Sequence, residues 1–378
     1  MNPNHLARSQ VRAESPGLWV LAWRRFCYDR VGLISFDIVL FFVALMAASA
    51  TGLIASDWSI EVGVSHAPPT FMGPADASAR ITTGAAPPES AMSARETEGR
   101  NSDGVDPLAE ILAEIRGANR SGARDVAIVD PLAEVLAQIR AGSSVESATD
   151  VRAPTLIFGG DKWGRDVLKK AIKGTETSMF VGLAAATLAA LLGTVFGALA
   201  GYYGGWIDDF FNWFYSVFTS IPYLLLILAI AAVLNQKGTM TVVLILSLTG
   251  WTGIFRLIRA EYMKHKIREY VQAAEALGAS DMRRMFVHIL PNVSHVVLVQ
   301  LSLHVVLFIK SEVVLSFLGF GVGVDTVSWG SMLNEAQSEL LIGNWWQLAA
   351  ATLAMAMLVT AFGLLTDALR DALDPKLK

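Results

Sequence analysis

The sequence predicts an all-α integral membrane protein with six transmembrane helices. Of its 378 residues, 53% are hydrophobic, and the apolar residues are concentrated in blocks rich in Gly, Ala and Ser. A helix needs about 20 apolar residues to cross a bilayer. The six candidate runs are Val31 to Ala55, Ser178 to Tyr203, Phe210 to Leu234, Thr239 to Phe255, Val293 to Leu318 and Trp345 to Thr366. The fourth run reaches this length if it continues to Arg256 or beyond.

Composition argues against several functional classes. The net charge of −4 does not favour nucleic-acid binding, and the single cysteine, Cys27, has no partner for a disulfide. No group of Cys or carboxylate residues stands at metal-ligand spacing around His295 or His304, so we assign no metal site. The sequence has no phosphate-binding G-x-x-x-x-G-K-[ST] motif, which predicts that this chain does not hydrolyse ATP. No apolar run with a small-residue cleavage site precedes the first span, so we expect no cleaved signal peptide.

The distribution of Lys and Arg predicts the orientation in the membrane. Seven basic residues follow the fourth span: Arg256, Arg259, Lys264, Lys266, Arg268, Arg283 and Arg284. The segment from Ser316 to Asn344 contains neither Lys nor Arg. Because loops rich in Lys and Arg stay in the cytoplasm, the loop after the fourth span is predicted to be cytoplasmic. Counting the six crossings from that loop places both termini in the cytoplasm as well.

This topology predicts an organisation along the chain. The predicted parts are a cytoplasmic tail (1–30), a first transmembrane helix (31–55), an extracytoplasmic loop (56–177), a five-helix core (178–369) that includes a cytoplasmic loop (256–291), and a cytoplasmic tail (370–378). The extracytoplasmic loop contains a duplication within 105–140, VDPLAEILAEIR from Val105 and VDPLAEVLAQIR from Val129. Each copy predicts a short amphipathic helix with an Asp N-cap and Pro at the first helical position. The two helices either pack together as a hairpin or offer one apolar stripe to a partner.

The basic cytoplasmic loop predicts two short helices separated by a turn. The segment Arg268 to Leu277 favours a helix that ends at Gly278 in a left-handed conformation. Ser280 or Asp281 then caps a second short helix from Met282 to Ile289, before Pro291 begins the next span. Ala273 and Ala274 would allow close approach to a partner, with Tyr270 and Leu277 as apolar anchors. The alternative is an amphipathic helix lying on the lipid headgroups.

Several motifs support a family resemblance. Gln272-Ala273-Ala274, Gly278 and Leu290-Pro291 resemble the "EAA…G…I-LP" loop of permease subunits in binding-protein-dependent ATP-binding-cassette (ABC) importers. The segments from Gly160 to Gly174 (GDKWGRDV…G), from Ser316 to Gly330 (SFLGFG…SWG) and from Arg370 to Pro375 (RDALDP) resemble those of C-type permeases for dipeptides, oligopeptides and nickel. Gln272 stands where this family usually has Glu, and His288 stands where the general importer motif has Ile.

The resemblance implies a type I importer permease in the bacterial inner membrane. It implies that the chain pairs with a homologous B-type permease, two ABC ATPase subunits and an extracytoplasmic solute-binding protein, with ATP and magnesium bound by the ATPases. The expected cargo is a di- or oligopeptide, with nickel complexes or other small peptide-like solutes as alternatives. The residues expected to couple to the ATPase are Glu269, Tyr270, Gln272, Ala273, Ala274, Leu277, Gly278, Ala279, Ser280, Asp281, Arg284, Leu290 and Pro291.

Within the spans, two further sets of residues are singled out. Gly193, Gly197 and Gly201 repeat at four-residue spacing, which predicts close helix packing. The candidates for the translocation pathway or its gate are Lys310, Glu312, Ser316 and Pro222. Intramembrane charges are costly, and Lys310 and Glu312 do not face each other, so each is expected to have a separate partner on a second subunit or in an aqueous cavity.

Two other functional classes remain open at this point. In a secondary transporter, Lys310, Glu312 and Asp37 would form a proton relay. Two observations argue against this class: the sequence shows no inverted repeat, and the cytoplasmic loop 256–291 would have no role. In a non-transporting scaffold, the duplicated outer helices would recruit a partner.

Overall fold

The computed structural model describes residues 18–73, 152–323 and 325–373. The chain divides into two units, one formed by Met1–Gly73 with Pro154–Lys378 and the other by Pro74–Ala153. The duplicated segment at 105–140 belongs to the second unit and lies outside the described residues. The role predicted for it therefore stays a prediction.

The described ranges of the first unit consist mainly of helices and form no β-strand, and the segments 51–73 and 152–166 are joined by isolated β-bridges. Its helices are α1 (Leu18–Tyr28), α2 (Arg30–Ala50), α3 (Val167–Tyr203), α4 (Gly205–Thr219), α5 (Tyr223–Leu234), α6 (Thr239–Lys266), α7 (Glu269–Ala276), α8 (Asp281–Phe317), α9 (Trp329–Leu341) and α10 (Trp346–Leu373). Five of them, α2, α3, α6, α8 and α10, are long and apolar enough to cross a membrane, and α4 with α5 forms a possible sixth span. The predicted all-α membrane fold is confirmed.

The third predicted span is not one straight helix. Helices α4 and α5 meet at an angle of 85°, and Pro222 is the N-cap residue of α5. Proline lacks a backbone N–H and restricts the residue before it to extended conformations, so the helix ends at this point. Asp208 on α4 forms a two-point ion pair with Arg259 on α6, with nitrogen–oxygen distances of 2.5 and 2.6 Å. This pair fixes α4 against α6.

Several helices have different ends from those predicted. Helix α2 stops at Ala50 and not at Ala55, since Gly52 adopts a positive φ of 74° in the turn that follows. Helix α3 begins at Val167, before the predicted Ser178, because the Asp166 carboxylate caps it by accepting from Leu168 N and Lys169 N. Hydropathy misses this first part of α3 because it contains lysines. The sixth span likewise continues past Thr366 to Leu373.

The glycine repeat lies in the most extensive helix–helix contact of the described chain, between α3 and α6. A Cβ atom added at Gly193, Gly197 or Gly201 would lie 2.7, 2.8 or 2.5 Å from its nearest atom on α6. At Gly197 and Gly201 that atom is a backbone carbonyl oxygen, of Phe255 and Arg259 respectively. Backbone cannot move aside as a flexible side chain does. The three glycines therefore set the distance between the two helices.

This packing predicts that Gly201→Ala lowers the free energy of unfolding by about 1–3 kcal/mol, because the added methyl group overpacks the contact. The matched control is Gly363→Ala on α10, where an added Cβ meets nothing within 4 Å. The control should gain roughly 0.5–1 kcal/mol from the better helix propensity of alanine. Thermal denaturation midpoints of the purified variants provide the measurement. Equal midpoints for the two variants would contradict the packing argument.

Candidate functional site

Helix α7 and the turn after it form the first candidate site, between spans α6 and α8. The helix predicted for Arg268 to Leu277 is confirmed, and Gly278 follows it with a positive φ of 83°. Gly278 N donates to Glu275 O at 2.8 Å, and Ala279 N donates to Ala274 O at 3.0 Å. These two bonds are those of a Schellman motif, in which a left-handed glycine ends the helix. The turn leads directly into α8.

The separate second helix predicted from Met282 to Ile289 is not present. Ser280 is the N-cap residue of a continuous helix that runs from Asp281 to Phe317, and Leu290 and Pro291 lie within it. Residues Arg284–Ile289 form a π-helical turn in this helix. Pro291 lies just past that turn, in the first turn of the regular α-helix. The lack of an N–H on proline is tolerated there, so the chain does not break.

The two faces of α7 have different surroundings. Val271 and Ala274 are buried against the helical bundle, whereas Gln272 and Ala273 are exposed and Leu277 is 88% exposed. Ala274 therefore packs inward, which corrects the expectation that it approaches a partner, because it lies one turn from Val271 on the same face. The outward face consists of Glu269, Gln272, Ala273, Ala276 and Leu277.

Polar contacts tie this loop to three spans. The Tyr202 hydroxyl on α3 donates to Asp281 at 2.9 Å, and the Tyr262 hydroxyl on α6 donates to Met285 O at 3.2 Å. Arg284 pairs with Glu275 at 2.6 Å and also with Asp281. Tyr270, expected as an apolar anchor, instead shares a 2.8 Å hydrogen bond with the His265 ring on α6. The loop is thus held to the bundle on several sides.

The second candidate site lies near the other end of α8, where two distant motif segments meet. The Trp329 indole N–H donates to Ala171 O at 3.1 Å, and Trp329 N donates to Ser178 Oγ at 3.3 Å. A Cβ added at Gly174 would lie 3.1 Å from Trp329 Cδ1, so this position needs a glycine or a shift of the indole. The segments around 160–174 and 316–330, which carried the family resemblance, therefore pack against each other.

Glu312 lies in the interior of this second site. Its side chain is fully buried and accepts hydrogen bonds from Ser178 Oγ and Ser316 Oγ, both at 2.7 Å. Its partners are in this chain, which corrects the expectation of a partner on a second subunit or in a water-filled cavity. Lys310 is exposed. The predicted role of Lys310, Glu312, Ser316 and Pro222 in the pathway stays a prediction.

An ion cluster that the sequence did not indicate lies beside Trp329. The Lys170 ammonium is fully buried and contacts Asp161 at 2.8 Å and Glu335 at 2.5 Å. Gln347 donates to the same Glu335 oxygen at 3.1 Å. Lys170 precedes Glu335 by 165 positions. No local sequence pattern could therefore reveal the Lys170–Glu335 pair. The one sequence signal for it was a lysine in the first part of α3, which hydropathy did not detect.

Glu339 on α9 adds an incompletely paired carboxyl group to this region. It is 1% exposed, and its Oε1 accepts from Lys162 N at 3.1 Å. Its Oε2 is buried without a hydrogen-bond partner among the described residues. Burial raises the pKa of Glu339 to about 7, and the nearby Asp161 and Glu335 carboxylates add to this shift against the attraction of Lys170. Glu339 thus holds a proton near neutral pH more readily than an exposed glutamate does.

The environment of Glu339 predicts that the difference in folding stability between the parent and Glu339→Gln depends on pH. The folded-state pKa of about 7 exceeds the ordinary 4.5. The protonated form is therefore favoured by folding, and its contribution is lost as pH rises through 7. Glu339→Gln, which cannot ionise, should be more stable than the parent at pH 8 by an amount on the order of 1 kcal/mol. The advantage should shrink as the pH falls from 7 towards 4.5 and be smallest at pH 5.

Thermal denaturation midpoints at pH 5, 6, 7 and 8 measure this difference. The matched control is Glu269→Gln, which changes an exposed carboxylate. Its difference from the parent should be independent of pH. If the difference in midpoint between Glu339→Gln and the parent is also independent of pH, the raised pKa assigned to Glu339 is wrong.

Ser178 is predicted to be the critical hydroxyl of the Glu312 site. Ser178→Ala removes a donor to Glu312 and leaves the buried Trp329 N–H without its acceptor, which should cost about 1–3 kcal/mol of unfolding free energy. The matched control is Ser216→Ala on α4, where an exposed hydroxyl bonds only to Asn212 O. That change should stay within about 0.5 kcal/mol of the parent. Denaturation midpoints that fall equally in both variants would contradict the prediction.

Comparisons with known proteins show the family of this chain. Residues 193–378 match the family described as "Binding-protein-dependent transport system inner membrane component". The chain is 38% identical over 221 residues to the dipeptide transport system permease protein of Bacillus subtilis (strain 168), covering 58% of this chain and 69% of the relative.

Two further relatives extend the comparison. The oligopeptide transport system permease protein of Bacillus subtilis (strain 168) is 35% identical over 221 residues, which are 58% of this chain and 72% of the relative. The glutathione transport system permease protein of Escherichia coli (strain UTI89 / UPEC) is 37% identical, with the same shares covered. The described residues contain five to six candidate membrane spans. This multi-pass chain belongs to the inner membrane components of binding-protein-dependent ABC importers.

Proposed function

We propose that this chain is the C-type permease subunit of an ATP-driven peptide importer and that α7 is its contact with an ATPase subunit. The observation that carries the proposal is the exposed, small-residue face of α7, presented between two spans and closed by Gly278. The cargo class is supported by relatives named for dipeptides, oligopeptides and glutathione. A di- or oligopeptide is the cargo that these three names share.

The proposed assembly contains a homologous B-type permease, two ATPases and an extracytoplasmic solute-binding protein. ATP and magnesium bind to the ATPases, and this chain contributes no catalytic residue. The basic residues around α7 support a cytoplasmic location for it. In this orientation both termini are cytoplasmic, and the Glu312 and Lys170 clusters lie toward the extracytoplasmic side.

The contacts around α7 support a route by which ATPase motion would reach the pathway. When the ATPases close on ATP, their movement displaces the outward face of α7. Since Arg284 pairs with both Glu275 and Asp281, the start of α8 moves with α7. Helix α8 then transmits the displacement to the Glu312 site near its other end. The pathway alternates between inward-open and outward-open states by this coupled motion of helices.

Uptake of a radiolabelled dipeptide by cells that lack other peptide importers tests the proposed function. The chain is expressed with its partner permease, ATPases and binding protein. We expect uptake that requires all components, is blocked by vanadate and survives dissipation of the proton gradient. Uptake that needs the proton gradient but no ATPase would overturn the proposal.

Gly278 gives a sharper test of the ATPase contact. Gly278→Ala and Gly278→Leu share the same backbone penalty, because both place a side chain at a φ of 83°. An added Cβ meets nothing within 4 Å among the described residues, so the extra bulk of Leu enters open space that a docked partner would fill. We expect Gly278→Leu to bind the ATPases about ten-fold more weakly than Gly278→Ala, which corresponds to about 1.4 kcal/mol.

Co-purification of the ATPases with each variant, at a series of ATPase concentrations, measures this difference. The matched control is Gly343→Leu, since Gly343 has a φ of 89° and equally open space but follows α9. It should retain ATPase binding at the parental level. Equal ATPase affinity for Gly278→Leu and Gly278→Ala would show that α7 does not form the contact.

A further inference from the structure

A cavity of about 330 Å³ lies where the segment before α3, the loop after α8 and the helix α9 meet. Its wall includes Trp58, Trp163, Arg165, Lys237, Ser331 and Asn334. This volume is at the lower end of the range for small-molecule sites. The cavity is near the end of α8 that carries Glu312, opposite to α7. A ligand of one or two amino acid residues matches its size.

Arg165 is held in place by aromatic rings. Its guanidinium carbon lies 4.6 Å from the centroid of the Trp163 ring and 5.6 Å from that of Trp58. Cation–π contacts at these distances orient the guanidinium without using its hydrogen-bond donors. The Nε–H is buried and has no acceptor among the described residues. Arg165 forms no ion pair within those residues, so its fork of donors is not neutralised there.

The other polar groups of the cavity wall leave it with an excess of positive charge. Lys237 is exposed and forms no ion pair in the described part of the chain. The one carboxylate of the wall, Glu335, is paired with Lys170 at 2.5 Å. The Ser331 hydroxyl donates to Ser328 O, and the Asn334 amide donates to Phe317 O at 2.6 Å. The charged donors of Arg165 and Lys237 therefore have no anionic partner among the residues that the structure describes.

We propose that this cavity binds a carboxylate, and specifically the C-terminal carboxylate of a peptide in transit. A guanidinium matches a carboxylate through two parallel hydrogen bonds, and Lys237 adds a second charge. Trp58 and Trp163, which orient the guanidinium, also line the cavity beside it. The identity of this ligand rests on the proposed function, because a peptide cargo has a free carboxylate at its C-terminus.

Titration of the purified full-length chain in phosphatidylcholine nanodiscs tests the site directly. The probes are N-acetylalanine and its C-terminal amide, which differ only in the carboxylate. Intrinsic tryptophan fluorescence is the readout, because Trp58 and Trp163 line the cavity. We expect a saturable response to N-acetylalanine and at least ten-fold weaker binding of the amide. Inorganic phosphate is expected to compete at least ten-fold less well than N-acetylalanine.

Variants assign this response to the cavity. Arg165→Gln and Lys237→Gln should each weaken N-acetylalanine binding at least five-fold, and Lys237→Gln, an exposed change, keeps the test valid if Arg165→Gln fails to fold. Lys264→Gln, which removes a cation near α7, is the matched control and should bind as the parent does. Equal binding of acid and amide, equal competition by phosphate, or an unchanged affinity in Lys237→Gln would each overturn the proposal. These outcomes do not depend on uptake, so peptide import would stand or fall separately.

Discussion

The contact between α3 and α6 fixes the geometry on which both candidate sites depend. Gly193, Gly197 and Gly201 bring the backbones of the two helices together, and bulkier residues at these positions would push α6 away. Membrane helices associate without a hydrophobic driving force between them, so close packing of this kind contributes much of their affinity. Helix α6 ends just before α7, and α3 ends at Tyr203, next to the Tyr202 that bonds to Asp281. The position of α7 and the turn after it thus follows from the glycine contact.

The same helix α3 organises the opposite site through its polar first part. Lys170, Gly174 and Ser178 lie at four-residue intervals and therefore on one face of α3, the face that meets α9. Each contributes differently: Lys170 pairs with Glu335, Gly174 admits the Trp329 ring, and Ser178 bridges Trp329 N and Glu312. A buried ammonium or carboxylate is tolerated only with such partners. The polar groups thus specify how α3, α8 and α9 fit together.

The sequence was sufficient for features that depend on local signals. Hydropathy located the spans, and helix propensity and C-cap preference predicted α7 with its left-handed Gly278. Prediction from the sequence failed where contacts between distant residues determine the structure. Nothing local indicates that Ala274 packs inward while Ala273 is exposed, or that Glu312 finds both of its partners within the chain. The third span was predicted as one run from Phe210 to Leu234, whereas the structure has an 85° bend between α4 and α5 at Pro222. The Lys170 cluster joins residues from three distant segments and left no local pattern.

Continuity of α8 is the feature that joins the two sites into one mechanical unit. The helix has 37 residues, about 55 Å of length, with Asp281 and Arg284 near one end and Glu312 and Ser316 near the other. A break after residue 289, which Pro291 alone suggested, would have separated the turn after α7 from the membrane span. The chain instead accommodates this junction as a π-helical turn over Arg284–Ile289, a local widening that often occurs at functional positions. Both candidate sites therefore lie on one helix, with Asp281 and Arg284 joined to α7 and α3 at one end and Glu312 joined to Ser178 of α3 at the other.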